Sequence, residues 1–159
     1  MAREKKQPQP LKRQLQEDVL SPHNLPYRMR LLVQLLTRRF ADVLAPDHLT
    51  PLHWGILCCL WQQDGMATQA IAHQLQQLGG TITMGLDTME KRDLVHRNTD
   101  PDDRRISRVW LTKQGEDLQG KLVPRVESFV QYTFSCLSAE DYEHLSTTVN
   151  RLREHLDSK

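Results

Sequence analysis

The chain has 159 residues, of which 38% are hydrophobic and 26% are charged. This length suits one compact domain, or a small domain extended by further helices. No apolar run approaches the length of a membrane span, and the charged N-terminus lacks the apolar segment of a secretory signal, so we expect a cytoplasmic protein without a membrane partner. The formal net charge is only +1, which excludes a protein that coats nucleic acid through bulk charge.

The cysteines and histidines favour neither a metal site nor a cofactor. Three cysteines in a chain without an export signal are most simply reduced thiols. Cys58 and Cys59 lie in an apolar segment, which favours inert burial, whereas nothing assigns a role to Cys136. The seven histidines form no close ligand cluster, and the motifs of nucleotide-binding loops, nucleophile elbows and zinc proteases are missing. We therefore expect no enzyme, no catalytic residue and no bound metal.

The first third of the chain predicts a tail and a long helix. Residues 1–22 are polar, basic and rich in proline, which is typical of a flexible tail, with or without a short helix from Leu11 to Leu20. Such a tail is either solvated without a role or in nonspecific contact with phosphate. Apolar residues then recur at helical spacing from Leu25 to Leu44, and Pro46 marks the end of that helix.

A second helix is predicted after Thr50, which is a good N-cap and is followed by proline. This helix should end near Gly65, in the left-handed conformation that glycine favours. Two short helices come next, one capped by Thr68 and ending near Gln76, the other running from Thr81 to Arg92. Since the pair Gly79-Gly80 separates them, we expect the tight turn of a helix-turn-helix, although many helical hairpins share this pattern.

Two short strands, 94–98 and 106–111, follow the second short helix, with a charged turn at residues 99–105 between them. A helix-turn-helix followed directly by a hairpin is a winged helix, and this combination is more specific than either part. The sequence therefore predicts a mainly α (α+β) fold, with a winged helix-turn-helix domain at residues 49–112 and a two-stranded wing.

Two amphipathic helices are predicted in the last third, one from Lys113 to about Leu137 with Pro124 inside it, and a final one capped by Ser138. We expect Pro124 to bend its helix. A single small winged domain cannot bury these apolar stripes together with that of the first long helix. Regions 23–48 and 113–159 are therefore predicted to form a helical dimerisation region.

Residues 100–115, DPDDRRISRVWLTKQG, resemble the wing signature of the MarR (multiple antibiotic resistance regulator) family. The pattern of that signature is met by Asp103, Arg105, Leu111, Thr112 and Gly115. Upstream, MEKRDLVHR at residues 89–97 is similar to the exit of the family's recognition helix. The resemblance extends over residues 25–157 and implies a homodimeric repressor or activator that binds a pseudo-palindromic duplex DNA site.

Two residues depart from the family pattern. Asp93 stands where the family usually has glycine, and Met84 stands at a recognition-helix position that is often basic. The second departure removes one expected contact with phosphate or guanine and weakens any inference about the target sequence.

The predicted DNA contacts lie in the helix-turn-helix and in the wing. The N-terminal part of a recognition helix faces base edges in the major groove, where threonine can contact bases through its hydroxyl and thymine through its methyl group. Helix capping is the alternative role of the threonines. Gly80 would allow a close approach of phosphate. The candidates in the helices are Thr68, Gln69, Gly80, Thr81, Thr83 and Met84.

In the wing, Arg105 is predicted to enter the minor groove, with Asp103 orienting its guanidinium by a bidentate pair. Arg104 or Arg108 would meet phosphates, and a merely solvated turn is the alternative. Residues 66–112 contain six basic and six acidic side chains, so binding depends on separating these charges in space.

The resemblance also implies a small aromatic or anionic effector in a cleft between the dimerisation and DNA-binding parts. Arg28, His53 and Trp54 are candidates for lining such a cleft, with core packing as the alternative for the last two. An alternative function also stays open. The protein could be a winged-helix adaptor that contacts another protein and binds no specific DNA sequence.

Overall fold

The computed structural model describes residues 15–16, 18–19 and 21–158. The chain divides into two compact units, residues 1–40 and residues 41–159. Among the described residues, no helix has both the length and the apolar character needed to cross a membrane. The fold is mainly helical with one small antiparallel sheet, which confirms the predicted class.

The long helix α1 spans Leu25–Leu44, the bounds predicted from the sequence. Its first turn is capped from upstream, since Oδ2 of Asp18 accepts a hydrogen bond from the N–H of Leu25 at 2.8 Å. Such bonds satisfy N–H groups that have no partner inside a helix. Residues 15, 16, 18 and 19 are helical, in agreement with a short helix there. The rest of the predicted tail, residues 1–14, 17 and 20, lies outside the described residues.

Nine further elements follow in chain order after α1. They are a 3-10 turn at Ala45–Asp47, α2 at Pro51–Gln62, β1 at Met66–Ala67, α3 at Thr68–Gln74, α4 at Gly79–Lys91, β2 at Val95–Thr99, β3 at Ser107–Leu111, α5 at Lys113–Phe134 and α6 at Ala139–Asp157.

The sheet of the winged module has three strands in the order β1–β3–β2, all antiparallel, where the sequence predicted two. The additional strand, β1, has two residues, and Met66 pairs with Val109 of the wing. Two residues are too few for an alternating pattern to be recognised in a sequence. This strand leads directly into α3 and therefore attaches the wing to the helix-turn-helix.

The core lies between α2, α3, α4 and the sheet. The predicted inner face of α4, formed by Ile82, Leu86 and Met89, is fully enclosed. The other fully enclosed side chains of the winged module are Ile56, Leu57, Leu60, Ile71, Leu94, Val95 and Val109. This rigid core determines which residues of α4 can face outward.

The connection between α3 and α4 differs from the prediction. Gly79 and Gly80 form the first turn of α4 and do not make the tight turn. Residues 75–78 make the connection, and Gln76 adopts the left-handed conformation with φ of 51°. Sequence reasoning placed the turn at the glycine pair because glycine usually occupies such positions.

Capping was predicted correctly for α2 and α6 but not for α3. The N–H of His53 donates to Oγ1 of Thr50 at 3.3 Å, and Nδ1 of His53 accepts from the N–H of Thr50 at 3.2 Å. Oγ of Ser138 likewise accepts from the N–H of Asp141. Thr68 is instead the first residue of α3, and its hydroxyl donates to the carbonyl of Ser107 in the wing at 3.2 Å. The N-cap position is occupied by Ala67, which has no side-chain acceptor, so no side chain caps α3.

Helix α5 ends at Phe134, slightly before the predicted end near Leu137, and contains Pro124 as predicted. Helix α6 begins directly after Ser138. No residue of α6 is buried. Its apolar stripe of Leu145, Val149, Leu152 and Leu156 is exposed. Within the described part of the chain, nothing covers this stripe.

Candidate nucleic-acid interface

The outward face of α4 is formed by small and apolar side chains. Met84 is 73% exposed, and the ideal Cβ positions of Gly79 and Gly80 meet no atom within 4 Å. The hydroxyl of Thr83 donates to the carbonyl of Gly79 at 3.0 Å, one turn earlier. Its oxygen therefore remains available as an acceptor, while its proton is already used.

Thr81 has a different environment from its neighbours on α4. It lies in the first turn, where its N–H donates to the carbonyl of Leu78 at 2.9 Å. Its side chain is exposed but lines a small groove together with Pro51, Gly55 and Leu75. Of the predicted contacts on α4, Thr81 is thus the one that points towards α2.

The turn of the wing is organised by a buried carboxylate that sequence reasoning missed. Asp100 is buried, and its Oδ1 accepts from the N–H groups of Asp102 at 2.8 Å and of Asp103 at 3.1 Å. Its Oδ2 pairs with the guanidinium of Arg108, which is the main reason why the pKa of Asp100 lies below its ordinary value. The sequence Asp100-Pro101 directly after a strand could have indicated this role, because Asp often accepts hydrogen bonds from backbone N–H groups in turns.

The predicted pair of Asp103 and Arg105 is present. Nε and Nη2 of Arg105 donate to Oδ1 and Oδ2 of Asp103 at 3.0 and 2.8 Å, and the N–H of Arg105 donates to Oδ1 at 3.0 Å. These bonds lower the pKa of Asp103 and raise that of Arg105. The Arg105 side chain is nevertheless 90% exposed, so a fixed cation projects from the wing. Arg104 beside it is also exposed.

Two further arginines of the module, Arg92 and Arg97, are bonded to partners within the fold. Arg97 on β2 joins Asp87 and Glu90 of α4, both at 2.6 Å. Arg92 donates to the carbonyls of Asp47 and His48 at 2.7 and 2.8 Å. Both guanidinium groups are therefore engaged within the module, and Arg97 also lines the groove between α3, α4 and the wing.

Arg108 is bonded within the winged module. Nη1 of Arg108 donates to the carbonyl of Gly65 at 3.0 Å, and its Nε is bonded to Asp100. Two acceptors thus hold this guanidinium against the turn, and its contact with phosphate stays a prediction, as does that of Arg104.

A groove of about 810 Å³ runs between α3, the start of α4 and the wing. It brings together four of the predicted contacts, Thr68, Gln69, Thr83 and Arg105. Sequence reasoning missed His73, Leu78 and Ile106, which also line it. Single exposed residues of this kind carry no periodic signal, so only the tertiary structure assigns them to the groove.

A polar cluster around Asp47 connects the end of α4 with α5. The buried carboxylate of Asp47 pairs with Lys121 and, at 2.6 Å, with Arg125. Lys121 first and then Arg125 lower the pKa of Asp47 below its ordinary value. Since Arg92 holds the backbone carbonyl of Asp47, this cluster links the C-terminal end of α4 to α5 through one loop.

Comparisons with known proteins agree with this geometry. Residues 49–107 match the family model described as the MarR family. The transcriptional regulator HosA of Escherichia coli O111:H- is 29% identical over 126 residues, which are 79% of this chain and 92% of HosA. Residues 49–107 therefore carry a MarR-type domain, and the chain is similar in sequence and in its winged-helix fold to transcriptional regulators of the MarR family.

Solved structures of MarR-family proteins have the same fold. The chain is similar to Staphylococcus aureus MepR, crystallised in complex with DNA, with a TM-score of 0.77, 26% identity, and coverage of 82% of this chain and 96% of MepR. Bordetella bronchiseptica BpsR, whose DNA binding is regulated by 6-hydroxynicotinic acid, has a TM-score of 0.74 with 22% identity, and the match covers 81% of this chain and 98% of BpsR.

The departure from the family pattern at Asp93 has a visible physical cause. Asp93 adopts φ of 54° directly after α4. Glycine meets no steric penalty in this left-handed region, which explains why the family pattern has glycine there. Asp tolerates this conformation better than most other residues, so the turn forms in this chain without glycine.

Three residues are predicted from the sequence to line an effector cleft, and each has surroundings of its own. His53 is buried, and burial lowers its pKa, so it stays neutral as the cap of α2. Trp54 packs edge-to-face on Trp61 at 5.6 Å and lines an apolar groove against Val126 and Val130 of α5. Arg28 is exposed on α1. Burial raises the pKa of Cys58 to about 11, which keeps its thiol protonated.

Proposed function

We propose that this protein is a transcriptional regulator of the MarR family, binds duplex DNA sequence-specifically as a homodimer and acts as a repressor. The observation that carries the proposal is the wing, where Arg105 is fixed by Asp103 yet almost fully exposed. A pre-oriented guanidinium suits insertion into a narrow minor groove, where the negative potential is enhanced. Because the pair already restricts the side chain, little conformational freedom remains to be lost on binding.

The helix-turn-helix would read the adjacent major groove. Gly80, Thr83 and Met84 lie on the outward face of α4, and the bare backbone at Gly80 leaves room for close approach of the DNA. Thr68 and Gln69 line the groove between α3 and the wing, where a phosphate strand would pass. Arg104 supplies a further phosphate contact from the wing.

Dimerisation would use regions 23–48 and 113–159. Exposed apolar residues occur on each helix of these regions, for example Leu32 and Leu35 on α1, Val130 on α5, and the stripe on α6. Exposure on this scale marks association surfaces. A two-fold dimer would present two copies of α4 to half-sites one helical turn apart, which requires a pseudo-palindromic site.

Release by a small aromatic or anionic effector is the regulatory part of the proposal. The response of BpsR to 6-hydroxynicotinic acid supports a ligand of this chemical class. In this chain the groove of about 370 Å³ between Trp54 and α5 offers an aromatic and aliphatic lining. His53 would act by holding α2, and the role predicted for Arg28 from the sequence stays a prediction.

The test is binding to the DNA upstream of the protein's own coding region, measured by fluorescence anisotropy across a salt series with random duplex as competitor. We expect specific binding that weakens steeply with salt. Arg105→Ala should lower the affinity roughly tenfold or more and reduce the salt slope by about one for each half-site. Arg151→Ala, which removes the same charge from the exposed side of α6, is the matched control and should bind like the wild type.

Equal affinity for specific and random duplex would contradict the proposal and favour the protein-adaptor function. Specific binding that is unaffected by Arg105→Ala would contradict the role of the wing. Arg105→Lys separates charge from geometry, since lysine keeps the charge but loses the planar fork that pairs with Asp103.

A further inference from the structure

The outward face of α4 has almost no free charge. Between Gly79 and Glu90 the single charged residue is Asp87, and its carboxylate is paired with Arg97 at 2.6 Å. The first basic side chain, Lys91, comes at the end of the helix. A recognition helix of this composition cannot offer the bidentate basic contacts with which guanine is usually read.

Apolar side chains project where those contacts would be expected. Leu78, at the N-cap of α4, is 81% exposed, and Met84 is 73% exposed. Leu78 also lines the groove between α3, α4 and the wing. Neither side chain packs into the core, so neither is explained by the stability of the free protein.

The threonines of this face add acceptors and methyl groups. The hydroxyl of Thr83 donates to Gly79, and that of Thr88 donates to the carbonyl of Met84 at 3.1 Å. Their protons are therefore satisfied inside the helix. The N7 and O6 acceptors of purines require donors, and these two hydroxyls do not supply them.

The major groove presents one apolar group, the 5-methyl group of thymine. We propose that Met84, together with Leu78, reads thymine methyl groups in each half-site and is a specificity-determining contact of this protein. The inference rests on the proposed function and names the chemistry of its target, which is a half-site with thymine at the positions facing the start of α4.

The test begins with selection of bound sequences from a random duplex pool using the full chain. Each thymine of the selected site is then replaced singly by deoxyuridine, which removes the methyl group and keeps base pairing. At the thymines facing α4, we expect the wild type to bind about fourfold more weakly for each methyl group lost, the value of one buried carbon. Thymines elsewhere in the site should show no such effect.

The variants Met84→Ala and Leu78→Ala assign the effect. In Met84→Ala the ratio of affinities for thymine and deoxyuridine sites should fall to about one, with a smaller loss in Leu78→Ala. Val19→Ala removes a side chain of similar exposure, 71%, ahead of α1 and should keep the wild-type ratio. Because Met84 is exposed, thermal unfolding of its variant should match the wild type.

The outcomes separate the two proposals. If selection enriches no sequence, the proposed DNA-binding function is wrong. If a sequence is enriched but no deoxyuridine substitution weakens binding, or if Met84→Ala keeps the wild-type ratio, DNA binding stands and thymine reading by α4 is overturned.

Discussion

The winged module and the last helix both contain amphipathic helical sequence, but the apolar face is buried in the module and exposed on the last helix. In the module, the apolar face of α4 is fully enclosed by α2, α3 and the sheet. In α6, a stripe with equally regular spacing remains exposed along its whole length. Amphipathic periodicity therefore indicates which face of a helix will be covered, but not whether the covering surface belongs to the same chain.

Polar groups show the same contrast. At the border of the module, Asp47 is held by Lys121 and Arg125, which lie 74 and 78 residues further along the chain. Inside the module, Asp100 and Arg97 form ion pairs between neighbouring elements. On α6, the polar contacts at its ends are local, such as Ser138 with Asp141. The module is therefore held by contacts between its own elements, and α6 fits the dimerisation surface that we propose.

The largest effect should come from Leu86→Ala in the core of the module. Removing a fully enclosed leucine leaves a cavity and should lower the free energy of unfolding by about 2–5 kcal/mol, measured by urea denaturation. The matched change on α6 is Leu152→Ala. Its loss should depend on protein concentration, since it acts through association. A loss in Leu152→Ala that is the same at every concentration would break the comparison.

Gly115→Ala tests close packing at the border between the module and α5. A Cβ at Gly115 would lie 2.1 Å from the carbonyl oxygen of Leu94, so we expect a loss of about 1–3 kcal/mol in thermal unfolding. Gly120→Ala is the control in the same helix. Nothing lies within 4 Å of its Cβ, and alanine should raise stability by about 0.5–1 kcal/mol. Equal effects at the two positions would disprove the assigned contact.

The cluster around Asp47 should make stability depend on acid pH. Its folded-state pKa is lowered by Lys121 and Arg125, so below about pH 4 the unfolded chain takes up this proton first. The stabilisation is present above the unfolded pKa and is lost as the pH falls through the folded value. Asp47→Asn should remove this part of the pH dependence and cost about 1–2 kcal/mol at pH 7, reduced because Lys121 is partly exposed.

Urea denaturation at a series of pH values between 3 and 7 measures this dependence. Glu140→Asn, a change at an exposed residue of α6, is the control and should keep the wild-type profile. An unchanged profile in Asp47→Asn would show that the cluster does not tie the module to α5.

The smallest effect is expected at Asp93. Glycine fits φ of 54° without strain, so Asp93→Gly should be neutral or stabilising by up to about 1 kcal/mol, and Asp93→Ala should be destabilising by a similar amount. Calorimetric melting of the two variants measures the difference. Equal stability of the alanine and glycine variants would show that the backbone conformation does not explain the family's preference for glycine at this position.

The sequence predicted the elements whose signals are local. The bounds of α1, the capping of α2 by Thr50, the left-handed Gly65 and the pair of Asp103 with Arg105 all follow from residues within a few positions of each other. The turn at Gln76 and the hydroxyl of Thr68 were misassigned. For Thr68 a hydrogen bond to the distant wing replaces the predicted cap, whereas the turn at Gln76 is closed by bonds to nearby carbonyls of α3.

By itself, then, the sequence determined the winged-helix class, the order of its helices and the wing that carries Arg105, because these depend on periodicity, caps and short spacings. Only the tertiary structure decided which arginines are committed to the fold, which strand joins the wing to α3, and that Leu78 and Met84 project outward. The physical reason is that burial and ion pairing join different elements of the fold, and no local pattern records which partner each side chain will meet.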